Sequence, residues 1–162
     1  MAGFASSASA LFLREAEVRH GLELLYFGYH NVTREVDGAL ATHGLGRAHH
    51  RAMYFIARQP DQSVSQLLHI LAITKQSFGR VVHDLVERNL VEIRGGDRDR
   101  RQRLLRLTAE GAALESEFFE IIRRRMAEAY ASAGQGAVGG YWAVLEGLMP
   151  ADQRRRLVAP GD

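Results

Sequence analysis

Between Leu13 and His43, the residues Val18, Leu22, Leu25, Tyr29, Val32 and Val36 recur at alternating spacings of four and three. That is the 3.5-residue period of a helix lying along a partner helix. Phe12, Leu24 and Phe27 widen the apolar surface beyond this seam, and a core helix within one subunit is the alternative reading. His43-Gly44-Leu45-Gly46 closes the helix, because glycine adopts the left-handed conformation that ends helices. Arg47–Arg58 predicts a second helix, with Ala48, Ala52, Phe55 and Ile56 at helical spacing, stopped by Pro60-Asp61. Ser63-Val64-Ser65-Gln66 has the form of a capping box. Val64, Leu67, Leu68 and Leu71 then make the inner face of a third helix ending near Ala72. The Thr74 hydroxyl is placed to accept the N–H of Gln76 or Ser77 and so start a fourth helix. Phe78, Val81, Val82, Leu85 and Val86 form its apolar stripe, while Gln76, Arg80 and His83 point the opposite way. After Asn89-Leu90 come two β-prone runs, Leu90–Arg94 and Arg103–Leu107, joined by the polar stretch Gly95–Gln102. Thr108-Ala109-Glu110 opens a long helix lined by Leu114, Phe118, Ile121, Ile122, Met126 and Tyr130. The four glycines of Gly134–Gly140 read as a flexible break. A last helix spans about Tyr141 to Leu148, resuming after Pro150 toward Leu157.

Two short helices joined by a tight turn, the second with a polar outer face, make a helix-turn-helix. The hairpin that follows makes the expected fold mainly α with a small β-hairpin wing, flanked by N- and C-terminal dimerisation helices. The expected division is a flexible N-terminal arm at 1–12, a helical dimerisation region at 13–45 and 109–157, and a winged helix-turn-helix lobe at 46–108. Composition adds little: 46% hydrophobic and 25% charged residues are ordinary for a globular protein. Net charge is only +2, but its placement is informative. Residues 63–108 hold nine Lys and Arg against five acids, whereas residues 1–62 balance and 109–162 are net acidic. The positive charge therefore sits beside the polar helix face, as a DNA groove and its flanking phosphates require. The absence of cysteine excludes disulfides and zinc–thiolate sites within this sequence. No apolar run reaches the length of a membrane span, and the N-terminal stretch lacks the basic region and cleavage site of a secretory signal, so a cytoplasmic protein without membrane contact is expected.

Asp99-Arg100-Arg101, followed by Leu104-Leu105-Arg106-Leu107-Thr108-Ala109-Glu110-Gly111, resembles the wing signature of the MarR-type winged helix-turn-helix regulators. Val64-Ser65-Gln66-Leu67-Leu68 and Ile73-Thr74-Lys75-Gln76-Ser77 are similar to that family's helix 3 and recognition-helix openings. The likeness runs from Leu13 to about Leu157, while Gly46-Arg47-Ala48-His49-His50-Arg51 departs from the commonest pattern. The resemblance implies a homodimer whose recognition helices enter successive major grooves of a pseudo-palindromic operator in double-stranded DNA. It further implies that Arg101 enters the minor groove with Asp99 holding its guanidinium, and that a small, often anionic aromatic effector binds where the dimer arm meets the DNA-binding lobe. The function expected is a sequence-specific regulator, in the role of a repressor. A winged-helix protein-interaction module is the alternative.

On this reading Gln76, Arg80 and His83 face base edges, and Thr74, Lys75 and Ser77 touch phosphate near the helix N-terminus. Arg98, Asp99, Arg100, Arg101 and Arg103 work from the hairpin, although a run of charges is also what a solvated loop tip looks like. Tyr26, Tyr29, His30, His49, His50, Tyr54 and Arg58 are candidate effector contacts. Equally, their polar groups could merely tie arm to lobe. Val18, Leu22, Leu25 and Tyr29, with Leu114, Phe118, Trp142 and Leu145, are the candidate dimer contacts. The seven histidines do not make a metal pair by spacing: His49 and His50 are adjacent, and His20, His30 and His43 lie ten and thirteen residues apart. No metal or cofactor is expected. Catalytic motifs such as a glycine-rich phosphate loop, GxSxG or HExxH are missing, so no enzymatic activity is expected.

Overall fold

The computed structural model describes residues 14–71, 74–96 and 102–155. Helix α1, Glu15–Thr42, is followed by α2, Arg47–Arg58. Their junction closes as the glycines require. Gly44 takes φ +63°, its N–H reaches Ala41 O at 3.0 Å, and Leu45 N–H reaches Leu40 O at 2.9 Å. Leu40 and Leu45 are both buried there, the apolar contact that accompanies this kind of helix end. The capping box at 63–66 forms with both of its bonds: Gln66 N–H to Ser63 Oγ at 3.2 Å and Ser63 N–H to Gln66 Oε1 at 2.8 Å. It starts α3, Val64–Leu71.

Helix α4 spans Lys75–Glu87. Its end repeats the device of α1, with Asn89 at φ +56° and Leu90 N–H returning to Leu85 O at 2.9 Å. The hairpin strands are Val91–Gly95 and Arg103–Leu107, in register Ile93 to Leu105. Sequence reasoning missed a third strand. Gln62–Ser63, hereafter β1, pairs antiparallel with Arg103–Leu107 (β3), opposite Val91–Gly95 (β2), giving the order β1-β3-β2. Two polar residues carry no β pattern. What places them is Gln62, a buried side chain whose Nε2 donates to the carbonyls of Phe55 and Gln59, both at 2.8 Å.

Helix α5, Ala109–Ala133, is capped by Thr108, whose Oγ1 accepts Gly111 N–H at 2.9 Å and donates to Asn89 O at 2.7 Å. The expected flexible break at Gly134–Gly140 is a correction. Only Gly134, at φ +83°, interrupts the helices, and α6 runs Gln135–Leu148 through Gly136, Gly139 and Gly140. A short α7, Ala151–Arg154, follows Pro150.

The core belongs to the middle of the chain. Ala52, Met53, Ile56, Leu67, Phe78, Leu85, Leu105 and Phe118 are fully buried. Helix α1 adds only Val36 and Leu40, and α6 buries nothing. Leu22 is 65% exposed and Tyr29 62%. Phe118 needs a second correction: it is 0% exposed within one chain, with His43 and His50 edge-on to its ring at 5.9 and 5.8 Å. It is a core residue with no surface left for a second copy.

Candidate nucleic-acid interface

Helix α4 presents the polar face its spacing predicts. Phe78, Val82 and Leu85 are buried, while Lys75, Gln76, Arg80 and His83 are exposed. Thr74 Oγ1 accepts Ser77 N–H at 3.3 Å and donates to Ser77 Oγ at 3.0 Å, so both hydroxyls lie at the helix N-terminus. His83 Nε2 lies 3.3 Å from Glu87 Oε1. Lys75 and Arg80 make no ion pair among the described residues.

The positive charge of this region is less available than its count suggests. Arg88 pairs with Asp84 at 2.9 Å, Arg94 with Glu92 at 2.6 Å, and Arg106 with Asp61 through two bonds. The Arg106 guanidinium holds the Asp61 carboxyl below the ordinary carboxylate range. Among the described residues, Lys75, Arg80 and Arg103 remain as the cations of this face. Arg98, Asp99, Arg100 and Arg101 lie outside the described residues.

A cleft of about 560 Å³ opens between α1, α2 and α5. Three of the candidate effector contacts line it: Tyr29, His50 and Tyr54. Four do not. Tyr26 and His30 stack on each other along α1, His49 turns toward α4, and Arg58 is exposed at the end of α2. Sequence reasoning missed Arg47 and Arg51 in the wall, with Phe119, Ile122, Arg123, Met126 and Tyr130 from α5. A signal existed, because Arg47, His50, Arg51 and Tyr54 fall at i, i+3, i+4 and i+7, one helix face. Arg47 is held by Asp37 through bonds of 2.8 and 2.6 Å, and Arg123 by Glu120. Arg51 has no ion pair among the described residues. His50 Nε2 is buried without a hydrogen-bond partner, and burial pushes the His50 pKa down from its ordinary value. No group of three His, Asp or Glu placed to hold a metal ion occurs among the described residues. Nor is any described helix long and apolar enough to cross a membrane.

A family model for the MarR family matches residues 43–102. The HTH-type transcriptional regulator PetP of Rhodobacter capsulatus is 44% identical over 153 residues, 94% of this chain and 92% of that protein. The chain belongs to the MarR family. Membership makes it a helix-turn-helix transcriptional regulator rather than an enzyme. Solved MarR-family structures share its winged-helix fold. A mutant of MarR from E. coli, complexed with operator DNA, matches with a TM-score of 0.64 and 19% identity, over 79% of this chain and 92% of that one. A MarR-family transcriptional regulator from Silicibacter pomeroyi matches with a TM-score of 0.69 and 15% identity, over 88% and 94%. In the winged-helix fold shared with these structures, α3 and α4 form the helix-turn-helix and β2–β3 the wing.

Proposed function

We propose that the chain is a dimeric repressor that reads operator DNA with α4 and the wing. The observation that carries this is the exposed polar front of α4, with Gln76, Arg80 and His83 in solvent above a buried apolar back. Arginine can pair with guanine O6 and N7, and glutamine with adenine N6 and N7. Lys75, Thr74 and Ser77 meet phosphate at the positive end of the helix dipole. Arg101 enters the flanking minor groove with Asp99 orienting it, and Arg98, Arg100 and Arg103 add DNA contacts from the wing. The lobe at 46–108 is the reader, and 13–45 with 109–157 assembles two copies in the cytoplasm. The operator-bound E. coli MarR supports the DNA reading through the shared fold.

The test is a gel shift with the DNA flanking the protein's own coding region. Specific retardation is expected. Arg80→Ala should then lower affinity for that duplex by roughly 1–3 kcal/mol and relax base preference. Lys75→Ala should weaken cognate and scrambled duplexes alike. Equal losses for Arg80→Ala on both would sink the base-reading role, and no specific retardation by the wild type would favour a protein-interaction module.

The cleft supports an effector as a second element of this reading. Arg51 is unpaired among the described residues, His50 carries an unpartnered buried nitrogen, and Tyr29, Tyr54 and Phe119 supply aromatic walls. A small aromatic acid has the matching chemistry. Titration of the retarded complex with benzoate and its hydroxylated relatives should release DNA, and an Arg51→Ala variant should resist release.

A further inference from the structure

The histidines at 49 and 50 face different ways, and only His50 lies in the cleft wall. His49 Nδ1 accepts the N–H of Gly46 at 3.1 Å, reaching back as the third-residue glutamate of a capping box does. A ring nitrogen that accepts carries no proton, so the proton of the neutral ring is on Nε2. That Nε2 lies 2.9 Å from Asp84 Oδ2 and donates to it, and Asp84 belongs to the recognition helix. The other carboxylate oxygen, Oδ1, accepts from Arg88 Nε at 2.9 Å. Arg88 Nη1 in turn donates to the carbonyl of His43 at 3.0 Å. A run of bonds therefore leaves the first turn of α2, crosses to α4, and returns to the end of α1. It grips the C-terminal half of α4, while Lys75, Gln76 and Arg80 in the N-terminal half stand in solvent.

Apolar packing of Phe78, Val82 and Leu85 holds α4 against the core, but such packing is non-directional and tolerates a small roll of the helix. A charge-assisted hydrogen bond has a fixed length and direction. Asp84 lies four residues after Arg80, on the adjoining strip of the same helix surface. We infer that His49 is a positioning residue for DNA reading: by holding Asp84 it fixes the rotation of α4, and with it the aim of Gln76 and Arg80. This rests on the reading of α4 as the DNA-contacting helix.

Two substitutions separate this role from simple capping. Asparagine places an acceptor where His49 has Nδ1, so His49→Asn keeps the bond to Gly46 and drops the one to Asp84. Glutamine places a donor near Nε2, so His49→Gln keeps Asp84 and drops the cap. The full chain is titrated, by fluorescence anisotropy, against a duplex from its own flanking region and a scrambled duplex of equal composition. Thermal unfolding is measured in parallel. His49→Gln should stay within about threefold of wild type on both duplexes, whereas His49→Asn should lose roughly tenfold or more on the flanking duplex alone. Asp84→Ala removes that bond from the other side together with the Arg88 pair, leaves the cap intact, and should show at least the same selective loss. An asparagine variant that discriminates as well as wild type overturns the inference. So does an equal loss on both duplexes with a lowered Tm, which marks a purely structural cap. A wild type without preference between the duplexes fails at the earlier step, and removes the DNA reading together with the role assigned to His49.

Discussion

His50 sits half-buried against Phe118, with Nε2 shut off from solvent and given no partner. Burial disfavours the imidazolium and pushes its pKa below the ordinary value of 6.5. Asp37 works the other way and does not prevail. In the unfolded chain His50 takes up its proton near that ordinary value, while the folded chain resists. Over the interval between the two pKa values the unfolded state binds more protons, so stability rises with pH there. The contribution is complete above 6.5 and is lost progressively as pH falls below it. Urea denaturation at about pH 7.5 and 5.5 should show wild type losing more stability than His50→Gln, which cannot titrate. An equal drop in both proteins would remove His50 as the cause. An anion bound in the cleft would reverse the sign at this residue, because it favours the charged ring. The sequence showed the histidine pair without dividing it, since adjacency says only that the two rings diverge. Which of them meets the cleft depends on the rotation of α2 against Phe118, a packing fact.

Elements whose ends are written in local chemistry were legible. Helix α2 has the bounds Arg47–Arg58 that its flanking Gly46 and Pro60 suggest, and the caps at Ser63, Thr74 and Thr108 all form. Strand β1 and the start of α6 were not. Gln62 is fixed by carbonyls of Phe55 and Gln59, a long-range match no local pattern carries. Gly136, Gly139 and Gly140 continue as helix within α6 because Gly134 alone provides the turn. One glycine of the wing signature has a purely steric explanation. The start of α5 lies so close to the turn between α4 and β2 that a Cβ on Gly111 would stand 1.9 Å from Leu90 O. That same carbonyl accepts Thr108 N–H at 3.1 Å, and Thr108 Oγ1 donates to Asn89 O. Any side chain at position 111 must push α5 off this junction. Gly111→Ala is therefore expected to lose stability by about 1–3 kcal/mol, in the range of overpacked interiors, although alanine is the better helix former. Chemical denaturation checks it; a variant as stable as wild type, or more so, would show that α5 can move off the Leu90 turn without cost.

At the scale of the molecule, one chain leaves a large apolar surface uncovered. Val18, Leu22, Leu25 and Tyr29 on α1, and Tyr141, Trp142, Val144 and Leu148 on α6, are all exposed. Each such side chain gains roughly 1.5–3 kcal/mol when taken fully out of water. The seam with a 3.5-residue period on α1 supplies the regular spacing a partner helix needs. In the proposed dimer, a second copy covers both helices and accounts for these exposed stretches, which the core that takes in Val36, Leu40 and Phe118 leaves unused. In that proposed dimer the arms would also set the distance between the two copies of α4, so that both half-sites are engaged together. Leu22→Glu combined with Leu25→Glu places four like charges in the paired seam, while leaving the buried core of the lobe untouched. Light scattering should show the mass fall from two chains to one, with a far-ultraviolet spectrum and lobe unfolding close to wild type. Affinity for a two-half-site duplex should then drop by about 10²-fold or more as the intramolecular second contact is lost. The salt dependence should weaken with it: a dimer neutralising about eight phosphates has a slope of log K against log salt near −7, and a single lobe roughly half of that. A variant that stays dimeric would place the seam elsewhere than on these residues. A monomer that still binds the duplex with wild-type affinity and slope would mean that one lobe suffices, and that the arms serve some purpose other than spacing the readers.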